Sequence, residues 1–211
     1  MKLQDILSWT WGPLNRPCNY TATGNQPVRH YRETLADKSG IRKLLFNGFS
    51  KCLYAYQKFD SDSERRFAVI LERDAEKWFR PVKGQFQIWY KLGAEQPEYV
   101  PDFVAEAPEV IYQVETKARE ALKDADVQAK TDAARKWCGH ATDYAAQHGC
   151  KSWRYLLITH DEINEARTLA DSSRPRRKRG SVGSISGAIF SPPVLPSAVA
   201  YRHDTPLPRH G

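Results

Sequence analysis

What the chain lacks narrows its class first. Among its 211 residues no apolar run approaches the roughly 20 needed to cross a bilayer, which excludes membrane-spanning helices. Cysteine is scarce: Cys18, Cys52, Cys138 and Cys150 are too few and too scattered for a disulfide framework, which fits a reducing, cytoplasmic setting. The opening Met1-Lys2-Leu3-Gln4-Asp5 has no basic stretch leading into an apolar one, so no secretory leader is expected. There is no internal repeat. No Gly-x-x-x-x-Gly-Lys-[Ser/Thr] phosphate loop occurs either. The stretch from Gly180 to Gly187 lacks the lysine, so no ATP site of that type is expected. What is present is 41% hydrophobic residues, enough for one domain with a modest core, and a formal charge of +7.

That charge is unevenly placed. From Ser172 onward seven basic residues (Arg174, Arg176, Arg177, Lys178, Arg179, Arg202 and Arg209) face one acid, Asp204, a balance of +6 that leaves the rest near neutral at +1. The same stretch is rich in glycine, serine and proline, with no apolar period, so residues 172–211 read as a disordered basic tail. Its Arg174–Arg179 cluster suits a DNA-contacting arm, a nuclear address or a solvated run. At the other end, residues 1–43 begin with turn chemistry around Trp9, Trp11, Pro13, Pro17, Gly24 and Pro27. They read as the remnant of a preceding region, and residues 44–171 as the patterned domain.

Within that domain Cys52–Phe59 is rich in strand formers and stops at Asp60-Ser61-Asp62-Ser63, a set of helix-capping residues. Phe67, Ile70 and Leu71 then recur at helical spacing. Gln85–Tyr90 alternates as a strand does, and two more strands are expected over Tyr99–Glu106 and Val110–Glu115. The short Ala107-Pro108-Glu109 link makes that pair antiparallel. A long helix follows, from about Asp126 to His148, then a buried strand over Trp153–Thr159. A helix between the last two strands permits parallel pairing. The expected fold is α/β, with a mixed central β-sheet flanked by helices and the order helix-strand-strand-strand-helix-strand.

Asp102 and Glu115 fall on neighbouring strands, and Lys117 shares a face with Glu115. Two carboxylates and an ammonium at a sheet edge suit Mg²⁺ and the activation of water against a phosphate. The same spacing also serves an ordinary Pro-Asp turn and a solvated Glu-x-Lys strand face. Trp78, Phe79, Arg80, Lys83 and Trp89 interleave aromatics with cations, as a DNA-facing surface does. Amphipathic strand packing suits the two tryptophans better. Cys138, His140, His148 and Cys150 do not read as a zinc site, because Cys138 and His140 lie about 200° apart around a helix. His160-Asp161-Glu162 caps a following helix or approaches the carboxylates.

Pro101-Asp102 followed by Glu115-Thr116-Lys117 resembles the PD-(D/E)XK nucleases. Phe46–Cys52, Lys58–Ala68, Tyr99–Val104 and the run from Val127 through Trp137-Cys138 resemble, more narrowly, the C-terminal nuclease region of type III restriction endonuclease R subunits and related DEAD/DEAH-box helicases. The likeness runs from about Leu44 to Ile163. It implies a restriction-endonuclease-like core and a Mg²⁺-dependent (or Mn²⁺-dependent) DNA endonuclease. Asp102 and Glu115 would hold the metal, and Lys117 would serve the attacking water. Glu64 matches the extra acid that such nucleases aim at the metal, against the alternative of a first-turn glutamate favouring the helix dipole. Gln128 matches a site-facing glutamine, although Asp132 stands where the family often has tyrosine. Family members often read Glu-Val-Lys or Glu-Ala-Lys; Thr116 at the middle position is expected to point away from the chemistry. DNA and a separate helicase, translocase or modification subunit are the implied partners. The competing readings are a catalytically silent DNA-binding or assembly module, and a transposon-end nuclease.

One consequence concerns the tail alone. Deleting 172–211 removes six net positive charges, so non-specific DNA affinity should fall and its salt dependence flatten. The melting temperature should barely change. A large fall in melting temperature on deletion would show that the tail packs against the body.

Overall fold

The computed structural model describes residues 26–173; the Trp9–Trp11 stretch and the basic tail from Arg174 onward lie outside the described residues. The centre of the body is a four-stranded sheet of β3 (Lys77–Phe79), β6 (Phe103–Glu106), β7 (Val110–Lys117) and β8 (Ser152–Thr159), in that order. β6 runs antiparallel to both of its neighbours, β3 and β7, and β8 lies parallel to β7. Helix α1 (Asp62–Asp74) and helix α2 (Ala125–Gln147) flank the sheet. The pairing of Phe103 with Val114 sets the faces. Phe103 meets Phe67 of α1 edge-on at 5.4 Å between ring centres, while Gln113, one residue earlier on β7, meets Cys138 of α2. Successive residues of a strand point to opposite faces, so the two helices cover opposite sides. This is the mixed α/β architecture that the sequence pattern predicts.

Local chemistry explains both helices. Ser61 caps α1 by accepting from the Glu64 amide at 3.2 Å, and Phe67, Ala68, Ile70 and Leu71 are buried on its inner face. Helix α2 ends at Gly149, whose φ of +65° suits glycine, and the Cys150 amide folds back to the Ala145 carbonyl at 2.9 Å.

Three strand expectations are corrected. Cys52–Phe59 is no strand: it makes isolated bridges at Cys52 and Gln57 and bends between them. Leu53, Tyr54 and Phe59 are all buried, and a strand with one buried face does not bury consecutive side chains in this way. The first strand of the central sheet is Lys77–Phe79, in place of the expected strand over Gln85–Tyr90. Gln85–Tyr90 shrinks to β4 (Ile88–Trp89), because Gln87 sits at a φ of +53°, outside extended geometry. Its partner is β5 (Glu98–Tyr99), and the two form a separate ribbon. Tyr99–Glu106 is thus split at Val100–Asp102, around a proline that has no amide hydrogen to give to a ladder. Of the two tryptophans, Trp78 is packed and Trp89 is 53% exposed.

The expected boundary at 43/44 falls inside the packed body. β1 (Val28–His30) pairs in parallel with β2 (Leu45–Asn47), and Tyr31, Leu35 and Ile41 enter the core. Arg65 of α1 donates to the Tyr31 carbonyl at 2.8 Å. Burial here comes from single residues in irregular chain, which leaves no period to read. At the other end, α3 (Leu169–Ser172) docks on α1 through its Leu169 amide, which donates to Asp74 at 2.8 Å.

Glu72, 5% exposed, ties these parts together. Its Oε2 accepts from the Ser50 amide and hydroxyl at 2.8 and 2.9 Å; its Oε1 accepts from the Lys51 amide at 3.0 Å and from Trp78 Nε1 at 2.8 Å. One carboxylate thereby joins α1, β3 and the turn at Gly48. At Gly48 φ is +87°, and a Cβ would lie 2.4 Å from the His30 ring. Glu72→Ala strands several buried donors, so urea unfolding should show a loss of about 3 kcal/mol or more. A loss below about 1 kcal/mol would remove Glu72 as the tie.

Candidate active site

The β6–β7 ladder carries Asp102 and Glu115 to one place. Continued one residue beyond Phe103 and Val114, it sets Asp102 opposite Glu115. Lys117 follows on the Glu115 face, and its Nζ lies 2.7 Å from Glu115 Oε1. The other Glu115 oxygen accepts from the Tyr99 hydroxyl at 3.0 Å. Glu115 is only 4% exposed. Burial and the neighbouring Asp102 push its carboxyl up to about 7, against the pull of Lys117 and Tyr99. Lys117 is raised too: burial alone lowers it, but Glu115, Asp102 and Glu64 outweigh that and hold it above the ordinary lysine value. It is therefore an ammonium at neutral pH. Burial, and then the Glu115 charge, raise the Tyr99 phenol well above its usual range.

Thr116 corrects an expectation. It is not a bystander: its amide and hydroxyl both donate to Asp102 Oδ2, at 2.7 and 2.8 Å. The pair fixes one Asp102 oxygen, and the Oδ1 oxygen takes no hydrogen bond among the described residues. A hydroxyl where the related motif has an apolar side chain was the available signal. Tyr99 and Tyr155 were missed as well. Tyr155 interacts with Tyr99 and Glu115 and meets the Thr131 hydroxyl at 3.3 Å, extending the polar cluster to α2. Phenols in strands read as core residues, so no sequence signal marked them.

Glu64 lies close enough to feel the charge of Asp102 and to act on Lys117, but its carboxylate is engaged elsewhere. Oε2 accepts from the Asp60 amide at 3.0 Å and pairs with Arg80 at 2.8 Å. Burial raises its carboxyl; Arg80 offsets this in part, and Asp102 adds to it. Gln128 is not brought to the cluster. It is exposed and donates to the Leu122 carbonyl, in the turn before α2. The α2 residues that do reach Lys117 electrostatically are Asp126 and Lys130, an ion pair beside the Tyr90 hydroxyl. His160–Glu162 forms a 3-10 turn capped by Thr159, and its Asp161 pairs with Arg119.

Among the described residues no three His, Cys, Asp or Glu side chains gather closely enough to hold a metal ion. Each acid rests on a donor of its own: Asp102 on Thr116, Glu115 on Lys117 and Tyr99, and Glu64 on Arg80. The donor chemistry nevertheless suits a hard divalent cation at two of them. Asp102 keeps a free oxygen, and Glu115 is a buried carboxylate whose nearest cation is a displaceable ammonium.

No protein-family model and no curated protein matches the chain. No helix among the described residues is long and apolar enough to cross a membrane.

The Glu115 displacement, from an ordinary 4.5 to about 7, has a definite sign. The folded state holds this proton more tightly than the unfolded state, so its contribution to stability falls as pH rises from about 4.5 to 7. The displacement corresponds to about 3 kcal/mol. Glu115→Gln should flatten the stability profile between pH 5 and 8 relative to wild type. Equal slopes in denaturant titrations at several pH values would contradict a raised Glu115.

Proposed function

We propose that the chain is a metal-dependent endonuclease acting on DNA phosphodiester bonds, with Asp102, Glu115 and Lys117 as its reacting groups. The observation that carries this reading is Glu115. A carboxylate is buried at the end of a central strand, beside a second carboxylate and within 2.7 Å of an ammonium. Burying like charges together costs stability, and such an arrangement is typical of sites whose purpose is chemical. The resemblance of Pro101-Asp102 and Glu115-Thr116-Lys117 to PD-(D/E)XK nucleases points the same way.

In this reading Asp102 and Glu115 hold a cation of the Mg²⁺ class, which when bound supplies Lewis-acid polarisation of the phosphate and of water. The rest follows from the chain's own groups. Thr116 fixes one Asp102 oxygen and leaves the other outward. Tyr99 restrains Glu115, so the carboxylate keeps its orientation when Lys117 leaves it. Lys117, a permanent ammonium at neutral pH, takes no proton from water. It donates hydrogen bonds instead, orienting the attacking water and stabilising charge that develops on the phosphoryl oxygens. The water oxygen bonds to phosphorus as the bond to the leaving sugar oxygen breaks. One proton passes from the water to solvent, and one reaches the leaving oxygen. Residues 26–173 carry as many acids as bases, with no net positive charge, so a separate motor or modification subunit is the proposed source of tight DNA engagement.

A silent DNA-binding module is the second reading, and the occupation of both Glu115 oxygens by Lys117 and Tyr99 favours it. Plasmid nicking decides between the two. The full chain should nick supercoiled DNA with Mg²⁺ or Mn²⁺ and not in chelator. Lys117→Ala should lower the rate at least a hundredfold while metal binding persists, and Asp102→Asn should weaken both. Thr116→Val should fall between them, because it removes one of the two Asp102 donors. Nicking that survives unchanged in the Lys117 and Asp102 variants would sink the assignment.

A further inference from the structure

On the far side of Arg80, the partner of Glu64, lies a cavity of about 230 Å³ that the proposed chemistry does not use. It is lined by Arg42, Lys58 and Arg80 together with Phe59, Asp60 and Pro81. Its lining holds three cations and one acid, and Arg80 is also paired with Glu64, a balance that still favours an anion. Its size is below that of pockets for drug-sized ligands but equals several water molecules at roughly 30 Å³ each, which suits a phosphate group.

Arg80 is built into this wall. Its guanidinium carbon lies 5.4 Å from the Phe59 ring centre and 5.3 Å from that of Phe103, the residue after Asp102. Nη1 bonds to the Lys58 carbonyl and to Glu64, leaving Nη2 toward Asp60. Aromatic packing and these bonds hold the planar fork in one orientation, as phosphate recognition requires. Arg42, by contrast, is 74% exposed. The Asp60 carboxylate, 66% exposed, spans the two guanidinium groups at 3.5 Å from Arg42 Nε and 3.6 Å from Arg80 Nη2. Both distances exceed those of good hydrogen bonds. A single loosely held carboxylate thus lies between two guanidinium groups, where a phosphate with more oxygens pairs better.

We propose that the Arg42–Lys58–Arg80 cavity is a second phosphate subsite, which takes a backbone phosphate of the nucleic-acid strand next to the one cut at Asp102 and Glu115. Asp60 is the stand-in that this phosphate displaces. The identity of the carrier, a nucleic-acid strand, rests on the nuclease reading; the anion site itself does not. Arg80 links the two places, touching Glu64 on one side and lining the cavity on the other.

The test uses the full chain in chelator, where no cleavage occurs. Inorganic phosphate should shift the amide resonances of residues 58–60, Arg80 and Val82. A short duplex oligonucleotide followed by fluorescence anisotropy should bind at least threefold more weakly to Arg42→Ala and to Lys58→Ala, and the slope of affinity against salt should fall by about 1 in each. Asp60→Asn should bind at least twofold more tightly. Unchanged affinity and slope in all three variants would overturn the subsite, whereas loss of nicking in Asp102→Asn would still uphold the nuclease reading. The expected binding changes without any nicking by wild type would leave the subsite standing and end the nuclease reading. Amide shifts with phosphate but no response of DNA affinity would overturn the assignment of the ligand as a nucleic-acid backbone.

Discussion

The pairing of Phe103 with Val114 governs both the core and the chemistry of this protein. It turns Phe103 into the aromatic contact with α1. One residue further along, it sets Asp102 opposite Glu115. A slip of one residue would exchange the two faces of β7, sending Glu115 into the Phe67 side and Val114 toward α2. Fold and site therefore stand or fall on a single register. The short Ala107-Pro108-Glu109 link and the parallel partner β8 hold that register from two directions.

The site is built by making each charge answer to a neighbour. Glu115 is held by Lys117 and Tyr99, Asp102 by the Thr116 amide and hydroxyl, and Glu64 by Arg80 and the Asp60 amide. These donors keep three mutually repelling acids within one neighbourhood without letting them collapse together. The cost is concentrated in Glu115, whose carboxyl is the one raised to about 7. Distant parts of the chain supply the restraints: Tyr99 comes from the outer ribbon, Tyr155 from β8 and Thr131 from α2.

Arg80 stands where the site meets the cationic cavity. It lies just beyond β3, the strand that Glu72 ties to α1 through Trp78 Nε1. Its position against Glu64 thus depends on a buried carboxylate at the far end of the same helix. Two buried acids share α1, Glu72 near one end and Glu64 near the other.

The sequence alone was enough for the elements with strong local signals. Ser61 before an apolar period marked α1, an apolar face over about Asp126 to His148 marked α2, and a proline-bearing link marked the β6–β7 turn. Asp102 was legible from its place on an expected strand, just before β6, and Glu115 and Lys117 because a period of two puts them on one face of the next. What tertiary structure decided was everything that depends on contact between distant residues. Leu53, Tyr54 and Phe59 look like a strand but are buried in irregular chain. Tyr31 and Ile41 join the core without any period. Thr116 became the holder of Asp102, Gln128 turned out to solvent, and Glu64 was taken by Arg80. Local propensity and periodicity act over a few residues, whereas hydrogen bonds and burial between segments follow only once the chain has brought those segments together.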